Sequence, residues 1–271
     1  MDANRMSALQ RIRNRLSFRN ALFFPLTVGI VFFLKRHYSE ASPDDLLWIL
    51  KPTSRLVAVL TGIPFVFEKR IGYLSDSVMF IIAKPCAGVN FLIIVFCMSV
   101  FAIVPRAKRL GSKLAAFLGI AAGAYLATVL VNAFRIIAAI YSYRAGISIG
   151  WFTPERVHRI EGAGIYFLFL WLIHISTRSA LGPRVSRIAP AKQRDALAAW
   201  KRLASLFLAP LVWYLGMTVL VPLVRSARGG YDARIVEHFA CVVLVPLLMA
   251  GLLFLVHSTF RKRPVRLAKR Q

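Results

Sequence analysis

Five apolar stretches, 87–104, 114–131, 162–177, 203–224 and 236–257, constrain this chain more than any other feature. Each is close to or within the roughly 17–25 residues that a helix needs to cross the hydrocarbon of a bilayer. A soluble core in a chain of 271 residues has no use for so many of them. The composition agrees, at 58% hydrophobic and 17% charged. The reading is an all-α polytopic membrane protein.

A sixth stretch, 21–34, is shorter and follows a basic segment containing Arg5, Arg11, Arg13, Arg15 and Arg19. It has the form of a signal-peptide core, and Ser39-Glu40-Ala41 resembles a small-x-small cleavage site. The preferred reading is an uncleaved first helix, lengthened by Lys35 and Arg36, whose charges reach the interface. Between Leu46 and Phe67 the apolar pattern is broken by Lys51-Pro52, Arg55, Gly62 and Pro64, which reads as an interfacial or re-entrant segment. About six transmembrane helices follow, with both termini on one side.

Charge orients them. The N-tail, the 105–113 and 178–202 loops and the C-tail together hold 22 of the 36 Lys and Arg but only Asp2 and Asp195 among the acids. The opposite side has 14 Lys and Arg and nine acids, so the net charge is about +20 against +5. By the positive-inside rule both termini are cytoplasmic, in a bacterial-type inner membrane. The overall +25 is then topological, and nucleic acid drops out as a partner. Membrane lipid stays in as a partner, because the run Arg261-Lys262-Arg263-Pro264-Val265-Arg266 suits anionic head groups as well as anchoring.

The organisation expected is a basic cytoplasmic N-tail over 1–19, a membrane core over 20–177, and a basic linker over 178–202 containing Gly182-Pro183 and Pro190. A two-helix hairpin over 203–258 and a basic tail over 259–271 complete it. Between Phe65 and Ala83, two runs of strand formers flank the turn-rich Gly72–Ser77 region, which predicts a small extracytoplasmic β-hairpin leading into Cys86. Gly119 and Gly123 form a G-x-x-x-G that lets its helix approach a neighbour closely. Trp151, Trp171, Trp200 and Trp213 fit interfacial belts or packing.

Phosphate-loop, dinucleotide, zinc-protease and serine-hydrolase motifs are all absent, so no cofactor and no metal is expected. Three cysteines with no C-x-x-C make neither a disulfide framework nor a zinc site. Cys97 and Cys241 lie inside apolar spans and read as packing residues. Cys86 differs. It sits in Lys84-Pro85-Cys86-Ala87-Gly88-Val89-Asn90, just ahead of a span, where the helix dipole and Lys84 favour thiolate and Pro85 and Gly88 turn the chain sharply and keep the sulfur accessible. A small buried packing cysteine is the competing reading.

Asn132 and Arg135 are three residues apart and share a helix face. A guanidinium among apolar residues at a span end is either snorkelling or held for function. His158 precedes another span, titrates in the range useful for proton transfer, and has Glu161 at i+3 to orient it. The charge count puts Cys86, Arg135 and His158 on one side of the membrane. A thiol, a cation for an oxyanion and a proton carrier are the parts of acyl transfer through a thioester.

In this order and placement, Cys86-Ala87-Gly88, Asn132-x-x-Arg135, and His158 followed by Gly162 resemble the exosortase/archaeosortase family of membrane transpeptidase-like enzymes. The stretch Pro85 to Phe91 is most similar to its exosortase K branch, and the likeness covers roughly 60–177. The resemblance implies a Cys-Arg-His site that cleaves C-terminal sorting signals, made of a short motif, a hydrophobic helix and a basic tail, from exported proteins. By position, Cys86 would attack the scissile carbonyl, His158 would pass a proton to the leaving amine, and Arg135 would bind the oxyanion or the motif. Asn132, Gly88, Asn90 and Glu161 would support them. Ala87 stands where many relatives have Ser, so a hydroxyl contact is missing there. Two other classes remain: a transporter or flippase-like protein for an anionic envelope lipid or polysaccharide precursor, and a non-enzymatic assembly factor for envelope polysaccharide.

Overall fold

The computed structural model describes residues 22–146, 153–181, 206–220 and 242–256. The chain forms two compact units, Met1–Ile137 and Ala138–Gln271. It is mostly helical with one small sheet, and three of its described helical segments are long and apolar enough to cross a membrane: Lys84–Arg106, Leu110–Arg144 and Arg156–Ala180. That is three of the expected six.

In the first unit, helix α1 spans Phe23–Glu40. Pro25 lies in its first turn, where its missing N–H has no intrahelical role. The helix takes in Lys35 and Arg36 as the sequence suggests, and with Glu40 these charges keep it outside the membrane-length set. Ala41 ends it by turning extended. A short 3₁₀ turn, Asp44–Leu46, leads into α2, Leu47–Thr61. The interfacial reading of this region rested on its interruptions, yet the helix runs straight through Pro52. Proline removes the N–H that would bond the carbonyl of Trp48. Tyr125 of a neighbouring helix donates its hydroxyl to that carbonyl at 2.7 Å and stacks on the Trp48 ring. Gly62, with φ of +70°, closes α2 in the left-handed conformation.

The expected hairpin is a three-stranded antiparallel meander: β1 Val66–Glu68, β2 Gly72–Ser75 and β3 Phe80–Ile82, in that order. The middle strand was hidden because Gly72 reads as a turn residue. Here the glycine is needed for close approach, since a Cβ at that position would lie 2.5 Å from the Ile82 carbonyl oxygen. Arg70 takes a positive φ of 67° in the β1–β2 turn. Its N–H is held by Asp44 Oδ1 at 2.9 Å, which offsets part of that backbone strain.

After β3 a 3₁₀ turn, Lys84–Cys86, feeds α3, Val89–Ile103, which is apolar all round and buried almost throughout. Phe24 stacks on Phe101 near one end of α1, and Lys35 bonds Asn90 near the other, so α1 and α3 run antiparallel. Helix α4, Leu110–Arg144, has 35 residues and is about 52 Å long by helical rise. Its residues Leu114, Leu118, Leu126, Leu130 and Phe134 are exposed, while Thr128, Asn132 and Arg135 are buried. This is inside-out amphipathicity, polar groups inward and hydrocarbon outward. Gly119 and Gly123 do not make the close packing expected of G-x-x-x-G, because a Cβ at either would meet nothing within 4 Å.

In the second unit, Pro154 opens α5, Pro154–Ala180, behind an extended Thr153. Ala163, Phe167, Leu170 and His174 form its buried stripe. Shorter apolar helices α6, Leu206–Val219, and α7, Val242–Val256, lie within the hairpin expected over 203–258. Gly164 of α5 faces Met249 of α7, whose Sδ would be 3.2 Å from an added Cβ. Trp171 stacks on Phe207 of α6, and Phe207 meets Phe254 edge-on. Trp151, Trp200 and Cys241 lie outside the described residues.

Candidate active site around Cys86

Cys86 is presented by the start of α3. Its own N–H bonds Ala83 O at 2.8 Å, and the N–H of Ala87 bonds Lys84 O at 3.0 Å, closing a tight turn. Gly88 is the residue before the first helical turn, with φ of +69°, a left-handed conformation that a side chain would strain. The expected glycine-dependent turn is present, but the accessible cysteine expected with it is not, since Cys86 is only 7% exposed. The Cys86 residue is buried, while Pro85 and Asn90 on either side of it are exposed.

Asn132, fully buried on α4, joins this turn to the rest of the site. Its Nδ2 donates to the carbonyl oxygen of Cys86, 46 residues away in sequence. Its Oδ1 accepts from Arg135 Nη1 at 3.4 Å. Asn132 therefore bonds the cysteine's backbone with one end of its amide and the guanidinium with the other, as the two-sided donor and acceptor inventory of an amide allows. Arg135 itself is only 8% exposed, and its Nε is buried. A cation so enclosed is costly unless neighbouring dipoles compensate it.

The helix carries a sequence-legible part of this arrangement. Thr128, Asn132 and Arg135 recur at i, i+4 and i+7, the spacing of one face. Thr128 satisfies its own hydroxyl on Ala124 O at 2.7 Å, leaving Asn132 to reach the α3 start and Arg135 to bond Asn132.

Lys84, expected to favour the thiolate, has its ammonium held by the end of α1. Its Nζ donates to Ser39 O at 3.0 Å and lies 5.5 Å from the centre of the Tyr38 ring. Asn90 accepts a hydrogen bond from Lys35 Nζ at 2.6 Å. Sequence reasoning missed Tyr38 and Lys35 as neighbours of this turn. The signal was available only as a basic and aromatic cluster at the end of the first apolar stretch.

His158 and Glu161 belong to the second unit. His158 is half-buried near the start of α5, with the Tyr143 ring 6.3 Å from its own and its Nδ1 enclosed. Glu161, expected to orient His158, accepts the hydroxyl of Ser142 at 3.0 Å and so ties the start of α5 to the end of α4. Cys97 is buried within α3, as a packing residue should be. Among the described residues no group of three or more His, Cys, Asp and Glu is gathered that could hold a metal ion.

Compared with protein-family models, curated proteins and solved structures, the chain matches none.

Proposed function

We propose that this chain is a membrane-embedded, thiol-dependent processing enzyme that cleaves C-terminal sorting signals from exported proteins. The observation that carries the reading is the hydrogen-bonded link from the Cys86 carbonyl through Asn132 to Arg135. It fixes a cysteine on a tight turn and an enclosed guanidinium relative to each other, which a packing cysteine and a snorkelling arginine do not need.

Helix length supports the membrane placement. Counting from Lys113, the last basic residue at the start of α4, Arg135 lies about 33 Å further along the helix. The hydrocarbon is roughly 30 Å thick. Arg135, and the Cys86 turn bonded to its helix, then sit at the far interface. With 21–34 and the C-terminal pair counted as spans, an even number of six helices and the Lys and Arg bias support both termini in the cytoplasm and the site on the extracytoplasmic face of an inner membrane. A substrate tail with a hydrophobic helix and a basic end would lie alongside, with its motif at this depth.

In the reaction, the Cys86 thiol loses its proton to a general base, the role that the family resemblance gives His158, and its sulfur attacks the scissile carbonyl. Arg135 stabilises the oxyanion. As the C–N bond breaks, His158 gives the proton to the leaving amine, and a thioester remains. Water, an amine or a hydroxyl then takes the acyl group and regenerates the thiol.

The competing transport reading keeps Arg135 as an anion site and makes Cys86 inert. A tail-bearing reporter protein separates them. Cys86→Ser should leave the reporter full length, while Cys97→Ser and Cys241→Ser process it at near-normal rate. Equal tolerance of all three substitutions would reject the enzyme and favour transport.

A further inference from the structure

Two lysines from distant parts of the chain converge on one aromatic ring beside the Cys86 turn. Lys35, near the end of α1, holds its Nζ 5.8 Å from the Tyr38 ring centre, and Lys84, in the 3₁₀ turn, holds its own at 5.5 Å. Asn90 Oδ1 takes a hydrogen bond from Lys35, and Ser39 O takes one from Lys84. Tyr38 in turn donates its hydroxyl to the Lys84 carbonyl at 3.2 Å. An isolated lysine at a helix end needs no such frame to reach water. Here two positive charges 49 residues apart in sequence are gathered at one place on the surface.

We propose that Lys35, Tyr38 and Lys84 form a binding station for a phosphate group, supplied by the head group of an anionic lipid. An ammonium carries three N–H donors, and Lys84 uses one on Ser39, so further donors remain for phosphate oxygens. The exposed residues of α1 on the Lys35 side, Val28 and Phe32, are hydrocarbon-compatible and suit the acyl chains of the same lipid. The lipid assignment rests on the membrane placement proposed above. The station itself is independent of the thiol chemistry. Occupancy would fasten the end of α1 to the turn that presents Cys86, making the order of that turn depend on anionic lipid.

The test is native mass spectrometry of the full chain in detergent, titrated separately with phosphatidylglycerol, phosphatidylcholine and inorganic phosphate. The protein should retain phosphatidylglycerol over phosphatidylcholine, and the Lys35→Gln/Lys84→Gln pair should bind it roughly tenfold more weakly. The Lys35→Arg/Lys84→Arg pair should keep most of the binding, which guards against a folding defect in the glutamine pair. Lysine-dependent binding of inorganic phosphate as well would identify the site as one for phosphate in general; binding of the lipid alone would identify the head group as its source. Retention unchanged in the glutamine pair, loss equal in the arginine and glutamine pairs, or no preference for the anionic lipid would each overturn the proposal. Reporter cleavage is not read in this experiment, so its failure leaves the processing reading standing, and the reverse holds.

Discussion

The segment Lys84–Arg106, built around α3, and helix α4 are both long and apolar enough to cross a membrane, yet they use their hydrocarbon in opposite ways. In the segment built around α3, 78% of the apolar window is buried inside the protein, against 28% for α4. Hydropathy alone does not separate them. The few polar residues of α4 do, because Thr128, Asn132 and Arg135 mark its inward face and leave its leucines to the surroundings. In a membrane helix the polar residues are thus the informative ones: they show what the helix turns toward. The α3 helix provides the packed centre, and α4 brings chemistry to its start.

The largest effect expected from this contrast is on packing. Phe91→Ala in α3 removes a ring that is 1% exposed and should cost about 3–5 kcal/mol. Leu126→Ala on the outer face of α4, 60% exposed, should cost less than about 0.5 kcal/mol. Thermal unfolding of the two variants in micelles measures both, and similar losses would erase the distinction between the helices.

On activity the order reverses, and α4 becomes the sensitive helix. Arg135→Ala should lower reporter cleavage by about 100-fold or more, as removal of an oxyanion donor does. Phe134→Ala, one residue away and exposed, should stay within about twofold of the parent. Timed cleavage at matched expression decides it; comparable rates in the two variants would deny Arg135 a special role.

A smaller effect sharpens how α4 supports its neighbour. Tyr125→Phe leaves the Trp48 carbonyl without its donor and should cost about 1 kcal/mol. In a Pro52→Ala background an alanine N–H can fill that place, so the same change should cost almost nothing. A double-mutant cycle on unfolding midpoints reads the coupling, and additive effects would exclude the proposed replacement.

The smallest effect lies outside both helices. Asp45 accepts hydrogen bonds from the Ser42 hydroxyl at 2.7 Å and the Ser42 N–H at 2.8 Å, and these hold its carboxyl below the usual carboxylate range. Its contribution is present at neutral pH and is lost as the pH falls through the lowered folded-state value. The unfolding midpoint should therefore decline slightly more in acid for the parent than for Asp45→Asn. Parallel declines would remove this contribution.

Much of this was legible in residue order. The apolar stretches 87–104, 114–131 and 162–177 fall in the three membrane-length segments, and Asn132 with Arg135 declared a common face. What escaped depends on partners distant in sequence. Pro52 looked like a break because Tyr125, which replaces its hydrogen bond, is 73 residues away. Gly72 looked like a turn because the Ile82 carbonyl that demands it comes from another strand. The first helix was legible as the 21–34 stretch lengthened by Lys35 and Arg36, and only its run on to Glu40 was not. For the site, sequence supplied the residue types, but the target of Asn132 is a backbone carbonyl, which no side-chain pattern can announce. Glu161 also takes the hydroxyl of Ser142 from another helix, a contact that its spacing from His158 does not announce.

The central claim is that Cys86 cuts protein tails. Its most direct test compares the C-terminal peptides of envelope proteins, by mass spectrometry, between cells carrying the intact chain and cells carrying Cys86→Ala. The account predicts a set of proteins that lose a hydrophobic, basic-ended tail only when Cys86 is present, with shared residues at the cut. Identical termini in both cells, with the protein expressed and tail-bearing proteins present, would contradict it.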